Sequence, residues 1–225
     1  MRVTKIELDS VNLSFCFQKD SLTYLLPGHI GLLEACLNSC SLEIPSMKLK
    51  EQIPPKEGVF FVRIYFEDDQ FYDYGFSERE LIYNMGPLYK GGYLSINYDE
   101  KSLNFSMVGN RNNRGNSLIR NQYSHQAINY INEVLRKHPS FSDVLLLDPM
   151  RVEKSGHALN LSLMGNGYKD AILLLLCIYL LKEDEMCSFL TLRRDYFSSF
   201  DRGLTRIILT EASTYGINII QPSCP

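Results

Sequence analysis

The sequence predicts an α/β protein with an antiparallel β-sheet subdomain and a core sheet flanked by helices. Three observations predict it. Residues 59–66 and 71–76 are apolar, β-rich runs on either side of the turn Glu67-Asp68-Asp69. Residues 168–181 are an apolar stretch of helical length. From residue 143 onward, short β-type runs alternate with helical ones, the pattern of a sheet with helices packed on it. The 225 residues, 45% hydrophobic and 22% charged, suffice for a real core and exclude a disordered tail.

Residues 2–8 alternate and read as a strand. Residues 11–17 are a second, with Val11, Leu13, Phe15 and Phe17 on one face. Residues 21–26 make a third, short strand. Pro27-Gly28 breaks the chain, and 30–40 have helical spacing, with Leu32, Leu33, Cys36, Leu37 and Cys40 on one side. Pro45, Pro54 and Pro55 make 41–58 a loop or irregular excursion. The hairpin 59–66 and 71–76 continues into strands at 80–85, 93–98 and 103–108, a meander expected to form one antiparallel sheet. Residues 109–117 are a polar loop. Residues 122–138 are an amphipathic helix striped by Ile128, Ile131, Val134 and Leu135. Strands at 143–147 and 157–163, the apolar helix, a strand at 187–192, a helix at 200–215 and a strand at 217–220 follow. There is no internal repeat and no heptad run long enough for a coiled coil.

A formal charge of -3 and a pI near 5.8 argue against a protein held on nucleic acid or anionic membrane by bulk charge. The opening residues hold no apolar signal-peptide region. The longest apolar run, 171–181, is about half of the ~20 residues a membrane span needs. It reads as a buried helix, and a cytoplasmic location is expected. The six cysteines contain no C-x-x-C and do not cluster with His29, His125, His138 or His157. Free thiols in a reducing compartment are expected, rather than a zinc site.

Four places could carry chemistry. Asp148 ends the apolar run 144–147, as a metal-holding carboxylate does at a strand end. Pro149 follows where a catalytic Glu would stand, so a solvated strand-end Asp is the expectation. Ser162-Leu163-Met164-Gly165-Asn166-Gly167-Tyr168-Lys169 precedes the apolar helix. Its Ser and two Gly suit either an anion at a helix N-terminus or a tight turn with a cap. Leu26-Pro27-Gly28-His29-Ile30-Gly31 has the position of a phosphate loop without its chemistry, because G-x-x-x-x-G-K-[ST] occurs nowhere. Arg111, Arg114 and Arg120 form a basic loop that could touch phosphates, though a solvated loop is the better fit to the net charge. No nucleophile-elbow string accompanies the histidines.

In this order, the pieces resemble the ATPase heads of the RecF/SMC/OLD-like branch of the ABC class (AAA-type) ATPases. Residues 3–8 look like the family's opening strand. Leu32-Leu33-Glu34-Ala35 matches the "LLEA" that follows the Walker A loop, a register that sets Gly28 before the Walker lysine. His29 then stands on the lysine, and Ile30 and Gly31 on the Ser/Thr pair. Tyr72-Asp73-Tyr74-Gly75-Phe76 is similar to "Y-x-Y-G-F" of the antiparallel arm. Leu147 to Arg151 looks like "x-x-P-L-R". Residues 161–169 are similar to the signature "S-x-x-G-D-G-x-x-R", with Asn166 in place of the Asp. Thr191 and Leu192 occupy the acidic Walker B positions to within a residue or two. Residues 219–225 resemble the closing strand, without its switch His.

The resemblance implies one ABC-head-like domain over 1–225. Its parts are a β-rich lobe (1–108) with a degenerate Walker A region, a short loop-helix insertion (109–138) and a signature-like lobe (139–225). Related heads carry a helical lever where 109–140 leaves room for a loop and a helix. Every missing group belongs to phosphoryl transfer: the phosphate lysine, the Mg²⁺ hydroxyl, the Walker B acids and the switch His. The expectation is therefore an inactive ATPase homologue that binds no cofactor by itself. It would pair, as a hetero-complex or dimer, with an ATPase or nuclease subunit in bacterial defence or DNA repair. ATP and Mg²⁺ would be held by that partner, facing Ser162, Gly165, Asn166, Gly167 and Lys169, and DNA would be reached through the complex, with no membrane involved. Two other readings stand beside it: a nucleotide-independent scaffold for a nuclease or other effector, and an enzyme on an unrelated fold using Asp148 and a His.

Overall fold

In the computed structural model, β1 (Val3–Leu8) buries Ile6 and Leu8 on one side and leaves Lys5 and Glu7 half-buried on the other, and a register shift between Val3 and Lys5 brings Val3 into the core as well. This is the period-2 pattern of a strand with one face on a core. The structure describes residues 2–42, 47–52, 59–77, 79–87, 89, 93–99, 104–109, 124–182 and 189–223. After β1 come β2 (Leu13–Cys16), β3 (Leu22–Leu25), α1 (Pro27–Leu42), α2 (Met47–Gln52), β4 (Phe60–Phe66), β5 (Phe71–Phe76), β6 (Leu81–Met85), β7 (Tyr93–Asp99) and β8 (Asn104–Gly109). The second half holds α3 (His125–Leu135), β9 (Val144–Asp148), β10 (Arg151–Lys154), β11 (His157–Asn160), α4 (Asn166–Leu181), β12 (Phe189–Leu192), α5 (Arg202–Thr214) and β13 (Asn218–Pro222).

The strands form three sheets. The first, β2-β1-β4-β5-β6, is antiparallel throughout. Its inner residues Ile6, Phe15, Val62, Ile64, Tyr74 and Phe76 pack with Leu33, Cys36, Leu37 and Cys40 of α1 in one core. The second, β3-β13-β12-β7-β8, is parallel except for its β8 edge, and so draws strands from both ends of the chain. A small antiparallel sheet, β11-β10-β9, is the third. A second core joins α3, α4 and α5 to β9 and β12. Every residue of α4 from Ala171 to Ile178 is buried, which explains an apolar run without a polar face. Among the described residues, no helix is long and apolar enough to cross a membrane.

The α/β class with an antiparallel subdomain and a helix-flanked sheet holds, with five differences of detail. The expected meander is not one sheet: β4, β5 and β6 stay in the first, while β7 leaves to pair in parallel with β12. Gly86 and Pro87 turn the chain there. Gly86 sits at φ +110, where a Cβ would lie 2.4 Å from the Tyr72 ring, and Pro87 has no N–H for a ladder. Helix α1 starts at Pro27 instead of 30, because proline's missing N–H costs nothing in a first helical turn. A short helix, α2, lies within the Pro-rich excursion. The strand expected at 157–163 ends at Asn160, whose side chain accepts the Ser162 N–H (2.8 Å) and starts a 3₁₀ turn. Its hairpin partner β10, joined to it through a Ser155-Gly156 turn with both residues at positive φ, was not expected from the sequence.

Ser124 caps α3 by accepting the Ala127 N–H (3.2 Å), and Asp201 caps α5 through Leu204 N–H (2.8 Å). Cys36, Cys40 and Cys177 are buried free thiols, and burial pushes that of Cys177 up to about 12. Cys16 is a free thiol at the surface, and Cys187 and Cys224 lie outside the described residues.

Candidate functional site

In open α/β sheets the ends of the parallel strands are where ligands are held. Here the connection from β3 to α1 is one residue, Leu26. Gly28, His29, Ile30 and Gly31 therefore form the first turn of a helix rather than a loop. The Ile30 N–H donates to the Leu26 carbonyl (3.0 Å), and the Ile30 side chain is in the core. The His29 ring meets Phe15 edge-on at 6.1 Å. A Cβ added at Gly28 or Gly31 would meet nothing within 4 Å, so the outer side of this turn is open.

One helical turn further on, Glu34 points into the sheet. Its carboxylate accepts the Thr191 hydroxyl (2.6 Å) and the Arg193 guanidinium (2.6 and 2.9 Å). Its side chain is 8% exposed, that of Arg193 38%. Thr191 and Leu192, both fully buried, face opposite sides of β12: Thr191 toward α1, Leu192 into the core around α4. The next two residues repeat the division with charge. Arg193 reaches α1, and Arg194 reaches Asp170 in α4 (3.0 Å) while lying over the Tyr196 ring. The other oxygen of Asp170 accepts the Ser199 hydroxyl (3.2 Å). Asp195, the nearest carboxylate along the chain, accepts the Phe197 and Ser198 N–H groups (3.0 Å each). The end of β12 is thus closed by two arginine–carboxylate pairs. Sequence reasoning missed Glu34, Asp170, Arg193 and Arg194 as a group. The doubled arginine directly after an apolar strand was its one trace.

The 161–169 turn lies on the α4 side of the sheet. Ser162 is exposed on the 3₁₀ turn, and Gly165 is the cap of α4, with no side chain to satisfy the first N–H groups of Asn166 and Gly167. Lys169 is half-buried one turn along. The two glycines differ. Gly165 (φ -60) has open space around it, whereas a Cβ on Gly167 would be 2.8 Å from the Ser199 carbonyl oxygen. Gly165→Ala is therefore expected to cost under about 1 kcal/mol, and Gly167→Ala about 2 kcal/mol despite alanine's better helix propensity. Thermal melts of the two variants check this.

The turn between β9 and β10 adjoins this place, since the Leu161 N–H donates to the Met150 carbonyl (2.7 Å). Leu147, Met150 and Leu163 are 39%, 53% and 73% exposed around it, an apolar surface beside Ser162. Asp148 is not simply solvated. The Met150 N–H (2.8 Å) and the Arg151 guanidinium (2.6 Å) hold it, in that order of weight, below the usual carboxylate range. Asp148 has no histidine partner among the described residues. His138 instead faces Asp201 (3.1 Å) and accepts the Ser140 N–H. No group of three or more His, Cys, Asp or Glu able to hold a metal occurs among the described residues. Arg111, Arg114 and Arg120 lie outside them.

No protein-family model matches the chain, and no curated protein matches it. Solved structures do. The SMC head domain from Thermotoga maritima aligns over 100% of this chain and 90% of its own, with 14% identity and a TM-score of 0.54. A crystal structure of the SmcHead bound to the C-winged helix domain of ScpA aligns over the same shares, with 12% identity and a TM-score of 0.49. The chain has an SMC-head-like fold, of the ABC-ATPase type.

Proposed function

We propose that this chain is a catalytically silent ABC-head homologue that works as an accessory subunit, docking on an active ATPase or a nuclease through its 161–169 face. One observation carries the reading: β3 passes into α1 through Leu26 alone. A phosphate cradle needs several residues of loop to wrap its N–H groups around the oxygens. A one-residue link has none to offer, and no lysine stands in the helical turn that follows.

The β12 end supports the same reading. Phosphoryl transfer needs carboxylates there to hold Mg²⁺ and to place water. Two guanidiniums stand there instead, and the carboxylates nearby are engaged by them or by backbone N–H groups. Open N–H groups at Asn166 and Gly167, beside exposed Leu163 and Met150, suit a docking surface that meets a nucleotide and Mg²⁺ held by the partner. Residues 1–225 then act as one head, with bacterial defence or DNA repair as the setting the resemblance implies.

Leu163→Asp tests the docking face. Leu163 is exposed, so the variant is expected to keep the wild-type melting temperature and to lose co-purification with an ATPase or nuclease encoded beside this chain. Undiminished co-purification by the variant removes the 161–169 face from the account. If Leu163→Asp breaks the complex and Gly165→Ala does not, the nucleotide-independent scaffold is the better description.

A further inference from the structure

A cleft of about 580 Å³ opens where the start of β1, the turn after β2, the β4–β5 turn and the last turn of α5 meet. It shares no lining residue with the sites above, and no aliphatic side chain lines it. Its fixed point is Arg2, whose side chain is 6% exposed. Nε donates to Asn218 Oδ1 (3.1 Å), and Asn218 Nδ2 donates in turn to the Val3 carbonyl (3.1 Å). These contacts hold the guanidinium charge in a set orientation.

Its partner is loosely held. Arg2 Nη1 reaches Glu67 Oε1 only at 3.5 Å, and the Glu67 side chain is 48% exposed. Arg2 Nη2 donates to no acceptor among the described residues. A cation with spare donors therefore stands beside a carboxylate with spare acceptor capacity. Lys19, Asp20, Thr210 and Ser213 also line the wall, a second cation and a second carboxylate among them. The last turn of α5 contributes the negative end of a helix.

These four charges sum to zero, and that selects the ligand. A simple oxyanion would gain Arg2 and Lys19 but meet Glu67, Asp20 and the helix end. A simple cation meets the converse. A split Arg–Glu pair is satisfied by a group with an anionic acceptor and a cationic donor one carbon apart. We propose that the cleft binds the head group of an α-amino acid. The carboxylate sits on the free edge of the Arg2 guanidinium, and the ammonium sits on Glu67. The ligand's side chain is polar, because the remaining wall is mostly polar and charged, with the Tyr215 ring as its one large apolar surface.

The test uses the whole chain and backbone NMR signals of residues 213–216. L-serine is titrated against ethanolamine, which lacks the carboxylate, lactate, which lacks the ammonium, and inorganic phosphate. L-serine is expected to saturate these signals at millimolar concentration, at least about ten-fold below any of the other three. Glu67→Gln leaves the Arg2–Asn218 contact in place. It should weaken L-serine about ten-fold and, because it removes a like charge, leave lactate no weaker. Lactate or phosphate binding as tightly as L-serine reduces the cleft to an oxyanion seat and overturns the proposal. So does the absence of saturation by L-serine at roughly 50 mM, or an unchanged affinity in Glu67→Gln.

Discussion

Leu174→Ala is expected to lower stability by about 3 kcal/mol, and the melting temperature by roughly 10 °C. Leu174 is fully buried at the middle of α4, packed in the core that α3, α5 and β12 share. The truncated side chain leaves a void lined on all sides, which a helix hemmed in this way cannot collapse to fill. The cost therefore includes a cavity as well as lost burial. Denaturant or thermal unfolding of the variant measures it. A loss below about 1 kcal/mol would mean that α4 has an open face, contrary to its burial on every side.

Glu34→Ala is the second large effect, at about 2–3 kcal/mol. It removes the Glu34 bond of the Thr191 hydroxyl and both oxygens that now hold Arg193. The value sits below that for a fully buried pair because Arg193 is partly solvated. Arg193→Ala strands the Glu34 carboxylate with Thr191 as its remaining partner and should cost a similar amount. The double variant should cost clearly less than the sum, since both changes remove one cluster. Additive losses in the cycle would show that the two side chains act separately.

Much of this fold was readable from local pattern, for a physical reason. Ile6, Leu8, Phe15, Val62 and Ile64 alternate because each of their strands has one wet face. Residues 171–178 lack alternation because that stretch of α4 has no wet face. What could not be read is pairing across long separations. Nothing local in residues 93–99 names β12 as their neighbour, although Gly86-Pro87 marks where the ladder must stop. Pro27 was read as a break because it follows a strand, yet the same residue is at home in a first helical turn. That difference matters most at the site, for it turns an apparent remnant of a phosphate loop into helix. The 161–169 segment was read as directly preceding the apolar helix, yet α4 begins at Asn166, so its last four residues are the helix's first turn. The Glu34–Thr191–Arg193 cluster was hidden, because its members lie about 160 residues apart and only the folded sheet joins them.

The proposal of a silent head rests on what the β3–α1 link and the β12 end lack for phosphoryl transfer. Phosphate release from ATP and Mg²⁺ by the purified chain tests this most directly. The account predicts release indistinguishable from buffer at every ATP concentration. Mg²⁺-dependent turnover that follows the chain through chromatography would contradict it.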